Sequence, residues 1–392
     1  MKIGIVAGEI HRRGGMERAA AEVFERIART HSVTAFATVC EMDAPHVTWI
    51  PVNPLPRPAL VRHWSFRRKA QALEAGAGCT ITNSIGAAAI EADVITAQFC
   101  HAAFTGKHGG LRGGAGAVRR RYQEWAQQVY THQERFAYTS PRLKKVIAVS
   151  AGVKRELMEW YGVPETKIVV IPNAVDHAIF HPAANAGAKR ELRRALNLPE
   201  KHFLGLFVGG DWDRKGLTDA IQAIAGLPET TLVVVGQGDI ARFSAIAAQC
   251  GVVGNVIFAG RSSSPQQYYA AADAFIFPSR YEAFSLVTLE AAASGLPLIA
   301  LPINGTEELI EEGVNGFFAE PSAASFQSRL QQLISEPERC RAMSEAALRS
   351  SLPYTWERAA AEQLQVFEEA AERGEWNRKE ERHQTAKQGI NA

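Results

Sequence analysis

Short β-rich apolar runs alternate with helical stretches through both halves of this 392-residue chain, and that alternation limits the fold more than any other feature. Strands separated by helices build parallel sheets with helices on their faces. In the first half the runs are Ile3–Ala7, Val33–Val39, Val47–Val52, Thr80–Thr82, Val94–Ala97, Val146–Val149 and Ile168–Ile171. In the second they are Leu204–Val208, Leu232–Val235, Val256–Phe258, Ala274–Phe277, Leu298–Leu301 and Gly316–Ala319. The length exceeds what one core organises. Apolar residues make up 46% and charged residues 21%, enough for two cores. The expected fold class is α/β, with two Rossmann-like, doubly wound units.

The boundaries follow from composition. Residues 1–172 form the first unit, 173–200 a linker carrying IPNAVD and a charged helix, and 201–353 the second unit. A last amphipathic helix, Thr355 to about Arg373, is expected to cross back to the first unit within a segment 354–374. Beyond Gly374 the polar residues 375–392 read as a disordered tail. The stretch Phe104–Arg121, rich in glycine and then arginine, reads as a mobile loop before a helix Tyr122–Phe136.

The N-terminal run MKIGIVAGEI turns charged without a long apolar region or small-residue cleavage site, and reads as a strand. No run of 18 apolar residues occurs, so a cytoplasmic protein is expected. Five scattered cysteines (Cys40, Cys79, Cys100, Cys250, Cys340) suit buried thiols better than a disulfide frame or zinc site. Charge is uneven: residues 1–170 hold 23 Lys and Arg against 14 Asp and Glu, and the remainder 20 against 27.

Three constellations carry chemistry. In YEAFSLVTLEAAASGLPLIA, residues 281–300, a helix opens after the strand AFIFPS and ends at Gly295 before another strand. The amides from Phe284 to Val287 would then form a helix N-terminus at the carboxyl edge of a parallel sheet, a place that holds phosphate. Glu282 and Glu290, with seven residues between them, could accept protons from sugar and ribose hydroxyls, or be ordinary surface carboxylates. In LFVGGDWDRKGL, residues 206–217, Gly209 and Gly210 permit a tight turn that delivers Arg214 and Lys215 at the next helix. Two adjacent fixed cations suit the charge that grows on a leaving diphosphate, although solvated surface charge is the alternative. Asp211 and Asp213 resemble a metal-binding pair, but the adjacent cations already supply the positive charge a metal would bring, and no metal is expected. In the N-terminal EIHRRGGMERAA, Gly14 and Gly15 let a ligand approach the backbone at the start of a helix. Gly236, in VVVGQGD, makes another strand-to-glycine turn, yet neither half has a full G-x-G-x-x-G after its first strand, which weakens a dinucleotide reading.

With these residues assembled, the chain resembles the retaining glycosyltransferases of family 4, of GT-B architecture, over nearly its whole length from Met1 to about Arg373. GGMER, GGDWDRKG, VVVGQGD and YEAFSLVTLEAAASGLP are most like the family's lipopolysaccharide-core glucosyltransferases, and IPNAVD matches its Asn-Gly-Val-Asp segment with Ala174 in place of Gly. The resemblance implies two Rossmann-like domains facing a central cleft. It implies that Arg214 and Lys215 hold a donor diphosphate, that Glu282 binds the transferred sugar and Glu290 the ribose, and that Gly14, Gly15, Gly209, Gly210 and Gly236 lie near the donor. Ala283, Phe284, Ser285 and Leu286 would line its phosphates, Ala283 and Ser285 standing where the family usually has Gly. Arg18 and Asn173 fall on the acceptor side. A histidine near sugar and acceptor corresponds to the strand end VITAQFCHAAF, where the register allows Cys100 or His101, and His101 is chosen.

The implied reaction moves a hexose-type sugar from a nucleotide diphosphate-sugar, with UDP as the nucleotide, to an acceptor hydroxyl. It proceeds with retention, without cofactor or metal, and on the front face, so that paired hydrolase-like carboxylates are not required. A glycan or glycolipid acceptor of the bacterial cell envelope is expected. Two basic clusters, Arg57, Arg62, Arg67, Arg68 and Lys69, then Lys107, Arg112, Arg119, Arg120 and Arg121, suggest an anionic membrane surface as a peripheral partner; no nucleic-acid motif accompanies them. The rivals are a nucleotide-sugar-binding protein without transfer activity, a GT-B-like epimerase and, last, a nicotinamide dehydrogenase.

Overall fold

The computed structural model describes residues 1–108 and 117–372. The tail 375–392, and most of the Gly/Arg-rich stretch with Arg112, lie outside the described residues, as do the side chains of Lys107, Arg119 and Arg120. The chain divides into two compact units, one of residues 1–106, 117–172 and 356–372, the other of 173–355.

The first unit holds seven parallel strands: β1 (Lys2–Val6), β2 (Ser32–Ala37), β3 (Val47–Pro51), β4 (Ile81–Ile85), β5 (Val94–Ala97), β6 (Lys145–Ala148) and β7 (Ile168–Val170). Their order is β3-β2-β1-β4-β5-β6-β7. Helices α1 (Gly15–Ile27), α2 (Ala59–Gly76), α3 (His101–His108), α4 (Ala117–Thr139) and α5 (Ala151–Tyr161) connect them. Strands covered on both faces need apolar side chains on both, and the consecutive residues Ile5 and Val6 of β1 and Ala35 and Phe36 of β2 are all buried. Residues 356–372 are helical and lay Trp356, Val366 and Phe367 inward, with Phe367 stacked on Phe24 of α1 at 5.9 Å and Glu357 bound to Arg26 at 2.8 Å.

The second unit holds six parallel strands, β8 (Phe203–Val208), β9 (Thr230–Val235), β10 (Val256–Gly260), β11 (Ala274–Phe277), β12 (Leu298–Ala300) and β13 (Gly316–Phe318), in the order β10-β9-β8-β11-β12-β13. Its helices are α6 (Ala186–Ala195), α7 (Leu217–Ala223), α8 (Ile240–Gln249), α9 (Gln266–Ala271), α10 (Leu286–Ala293), α11 (Thr306–Leu309), α12 (Ala323–Ser335) and α13 (Pro337–Ser351). Phe207, Trp212, Ile221, Leu232, Phe243 and Phe326 meet in one core, each burial stabilising by about 1.5–3 kcal/mol. α6 is fastened here by Arg193 and Lys189, which grip Asp273 at 2.6 and 2.7 Å.

All thirteen strand runs read from the sequence are strands. Two expectations need correction. The stretch read as a loop from Phe104 begins inside α3, and the following helix starts at Ala117 rather than Tyr122. Arg67, read as surface charge, is buried: its Nε and Nη2 donate to the carbonyl of Ala89 at 3.3 and 3.0 Å, and burial lowers its pKa to about 10.

The two sheets share one consequence. Strand order reverses between β1 and β4 in the first and between β8 and β11 in the second. Diverging connections open a crevice outside the carboxyl ends of strands at such a point. Both candidate clusters lie there, each within its own unit.

Candidate functional site

In the second unit, β8 ends at Val208 and β11 at Phe277, and the chain beyond each strand brings opposite charges together. The β8 turn is tight because Gly209 has φ of 140°, a region L side chains avoid, and because a Cβ there would stand 2.6 Å from Cδ of Lys215. Gly236 repeats this at the end of β9, where a Cβ would stand 2.1 Å from the Gly209 carbonyl oxygen. Trp212 anchors the turn, its Nε1 donating to the Gly209 carbonyl at 2.9 Å and its ring packed edge-on to Phe243. Trp212 therefore points into the core, and the chain after it brings Arg214 and Lys215 to the residues beyond β11.

Arg214 Nη1 donates to Glu282 Oε1 at 2.9 Å, and Lys215 Nζ reaches the same oxygen at 3.2 Å. The Ser279 hydroxyl donates to it as well, at 3.0 Å. Arg214 is also held by the Tyr281 carbonyl at 2.6 Å and by Asp211 at 2.9 Å. Lys215 rests over the face of Phe277, 4.9 Å from its centroid. Burial pushes the Glu282 carboxyl up, but the charges of Lys215 and Arg214 and the Ser279 bond outweigh it and hold the pKa below the usual value. All three bonds land on Oε1, and Oε2 accepts none among the described residues.

Four residues further, α10 begins. Ala283, Phe284, Ser285 and Leu286 are buried. Ser285 stands at the N-cap but makes no capping bond, and its Oγ is buried without a hydrogen-bond partner among the described residues. Glu290 lies inside the helix at 4% exposure, its Oε2 accepting from the Tyr269 hydroxyl at 2.8 Å. Asn173, grouped with the acceptor side by sequence, lies in this unit and its Nδ2 donates to the Phe284 carbonyl at 3.5 Å. Asp211 pairs with Arg214, and Asp213 with Arg242 at 2.7 Å.

In the first unit a cavity of about 380 Å³ opens at the β1/β4 crevice. Gly8, Glu9, Arg62, His63, Phe66, His101, Tyr130 and Glu134 are in its wall. His101 stacks on Tyr130 at 5.1 Å, and its Nδ1 is 2.8 Å from Gln127 Oε1. Burial lowers the pKa of His101 and of His63, so both imidazoles stay neutral to lower pH than usual. Cys100, the other residue the register allowed, is fully buried and does not line the cavity; burial raises its thiol pKa. Gly14 is the N-cap of α1, Gly15 its first residue, and Arg18 lies one turn on.

The sequence reading missed Ser279, Tyr269, His63, Tyr130 and Glu134. One signal was present: Gln127, Tyr130 and Glu134 recur at helical spacing and so share a face of α4.

Residues 13–179 match the family model described as Glycosyltransferase Family 4, and residues 188–350 match Glycosyl transferases group 1. The two matches follow one another along the chain, one to each unit, and the two parallel-sheet, Rossmann-like units are those of the GT-B fold. Among curated relatives, it is 32% identical over 246 residues to the D-inositol 3-phosphate glycosyltransferase of Thermobispora bispora, covering 58% of this chain and 56% of that protein. The chain therefore spans just over half the length of such relatives. Among solved structures, WaaG, a glycosyltransferase involved in lipopolysaccharide biosynthesis, superposes with a TM-score of 0.78 at 22% identity, over 93% of this chain and 99% of that one. Anabaena HepE in complex with UDP-glucose superposes at 0.71 and 18% identity, over 93% and 100%. These likenesses establish the shared fold.

Proposed function

We propose that this protein is a retaining, metal-independent glycosyltransferase that moves a hexose-type sugar from a UDP-sugar to an acceptor hydroxyl of a cell-envelope glycan or glycolipid. The observation that carries the proposal is the meeting of Arg214, Lys215 and Glu282 at the carboxyl ends of β8 and β11, next to the N-terminus of α10. In this reading the two cations and the amides of α10 take the diphosphate. The Oε2 atom of Glu282 takes a sugar hydroxyl, and Glu290, oriented by Tyr269, takes the ribose. HepE was solved with UDP-glucose, which supports UDP as the donor nucleotide.

As the glycosidic bond breaks, negative charge grows on the leaving diphosphate. Arg214 and Lys215 are already fixed in place and need little reorganisation to stabilise it, a contribution of about 3–4 kcal/mol for one such donor group. The leaving phosphate oxygen accepts the acceptor's proton on the same face, so the configuration is retained and Glu282 orients the sugar without attacking it. The cavity at the β1/β4 crevice, with His101 in its wall, receives the acceptor. Exposed Arg68, stacked over Trp64 at 4.7 Å, belongs to a face suited to an anionic membrane surface.

The test is turnover of UDP-hexoses in the presence of an envelope extract, with the linkage of the product read by NMR. Wild-type protein is expected to form an axial or equatorial linkage identical to the donor's. Lys215→Ala is expected to turn over at least about a hundredfold more slowly with its fold intact. Near-normal turnover by the variant, or an inverted linkage, would refute the assignment.

A further inference from the structure

Glu134 is 3% exposed, far more buried than a carboxylate usually is, and the proposed reaction gives it no part. It stands on α4, yet its bonds go to other helices. Its Oε2 accepts the backbone N–H of His101, the first residue of α3, at 2.9 Å. The same oxygen accepts a short hydrogen bond from the Tyr161 hydroxyl at the end of α5. That hydroxyl in turn accepts the next amide of α3, Ala102, at 3.2 Å. The first amides of a helix have no partner within it and attract negative charge. Here two side chains from α4 and α5 satisfy them.

We propose that Glu134, acting with Tyr161, is the positioning residue for His101: it caps α3 from outside, fixes where the imidazole stands in the cavity wall, and makes that geometry depend on one carboxyl's ionisation. The inference rests on the reading of this cavity as the acceptor side. The groups facing Glu134 are Cys100 and His101 at the start of α3, Tyr138 on α4, and Glu156 and Tyr161 on α5. Arg135 stands over the Tyr161 ring at 5.8 Å and approaches only its face. Both donors to Glu134 are neutral, so burial dominates and raises its pKa to about 7, with the Tyr161 and His101 bonds pulling the other way. A charge-assisted bond to the α3 amide is stronger than a neutral one. The His101 bond favours the ionised carboxyl, so the cap tightens as pH rises through neutrality even though burying that charge costs the folded unit stability as a whole, in a range where His101 and His63 are already neutral.

Two measurements test this. The first is amide hydrogen exchange of peptides covering residues 100–106, corrected for intrinsic rates, from about pH 6 to 8. Protection is expected to rise about tenfold through neutrality in wild type and to be flat in Glu134→Gln; Tyr161→Phe should expose the amide of Ala102 across the range. A flat wild-type profile, or the same rise in Glu134→Gln, overturns the proposal. The second is the pH profile of turnover. Wild type is expected to lose kcat on the acid side of neutrality with donor KM unchanged, and Glu134→Gln to lack that limb. An acid limb that persists in Glu134→Gln also overturns it. His101→Ala separates the two layers: normal turnover by that variant defeats the acceptor-side reading, whereas exchange protection needs neither donor nor acceptor.

Discussion

Replacing Glu282 with alanine should destabilise the free protein and yet strengthen its hold on UDP. The carboxylate is the shared partner of Arg214 and Lys215, whose side chains are only 20% and 11% exposed. Removing one partner of a buried pair strands the other charge, at about 3–5 kcal/mol. Arg214 keeps Asp211 and the Tyr281 carbonyl, so the lower end, about 3 kcal/mol, applies. For a unit of this size that corresponds to a fall in Tm of about 6–12 °C. The opposite sign for UDP arises because a negative charge beside the phosphates is gone and the cations are unpaired. A ligand that binds only the folded state raises Tm in proportion to ln(1 + [L]/Kd). A thermal-shift titration should therefore show a larger UDP-induced rise in Glu282→Ala than in wild type, while a UDP-hexose should add nothing beyond UDP in the variant. An unchanged Tm, or a smaller UDP response in the variant, would refute the reasoning.

Glu134→Gln should alter how stability varies with pH. A carboxyl whose pKa is raised on folding contributes stability below its unfolded value and loses it as pH rises through its folded value, here about 7. Between about pH 5 and 8 the variant should gain about 2–3 kcal/mol on wild type in urea unfolding; parallel curves would exclude this. Gly209→Ala forces a side chain into φ of 140° and against Lys215, and should cost about 1–3 kcal/mol together with UDP affinity, read by unfolding and calorimetry. Unaltered values would show that the turn has slack. Tyr269→Phe removes the hydrogen bond that orients Glu290 Oε2 and should reduce the preference for UDP over its 2′-deoxy analogue, with the deoxy ligand's own affinity unchanged. If wild type has no such preference, Glu290 does not bind the ribose.

The strands were legible because strands buried on both faces are near-continuous apolar runs bounded by turn residues, as in Thr230–Val235 followed by Gly236. The charged cluster was legible for a related reason. A glycine turn at a strand end fixes where the next side chains emerge, and Arg214 and Lys215 follow Gly209–Gly210 just after Asp211, Trp212 and Asp213. α3 was not legible. HAAFTGKH contains Gly106 and little amphipathic pattern, and its first amides are held by Glu134 and Tyr161, 33 and 59 residues from their partners. Arg67 misled for the opposite reason: a charged residue in a basic run reads as solvated, and only the packed α2 brings it to the Ala89 carbonyl. The burial of Glu290 against Tyr269 likewise depends on α9 and α10 packing together.

The central claim is that the crevice between β8 and β11 holds a diphosphate, and calorimetric binding of UDP, UMP and uridine to wild type and Lys215→Ala tests it most directly. The account predicts that UDP binds wild type more tightly than UMP or uridine do, and that the variant loses at least about tenfold in UDP affinity, about 1.4 kcal/mol, with uridine unaffected. Equal UDP affinity in the two proteins would contradict it.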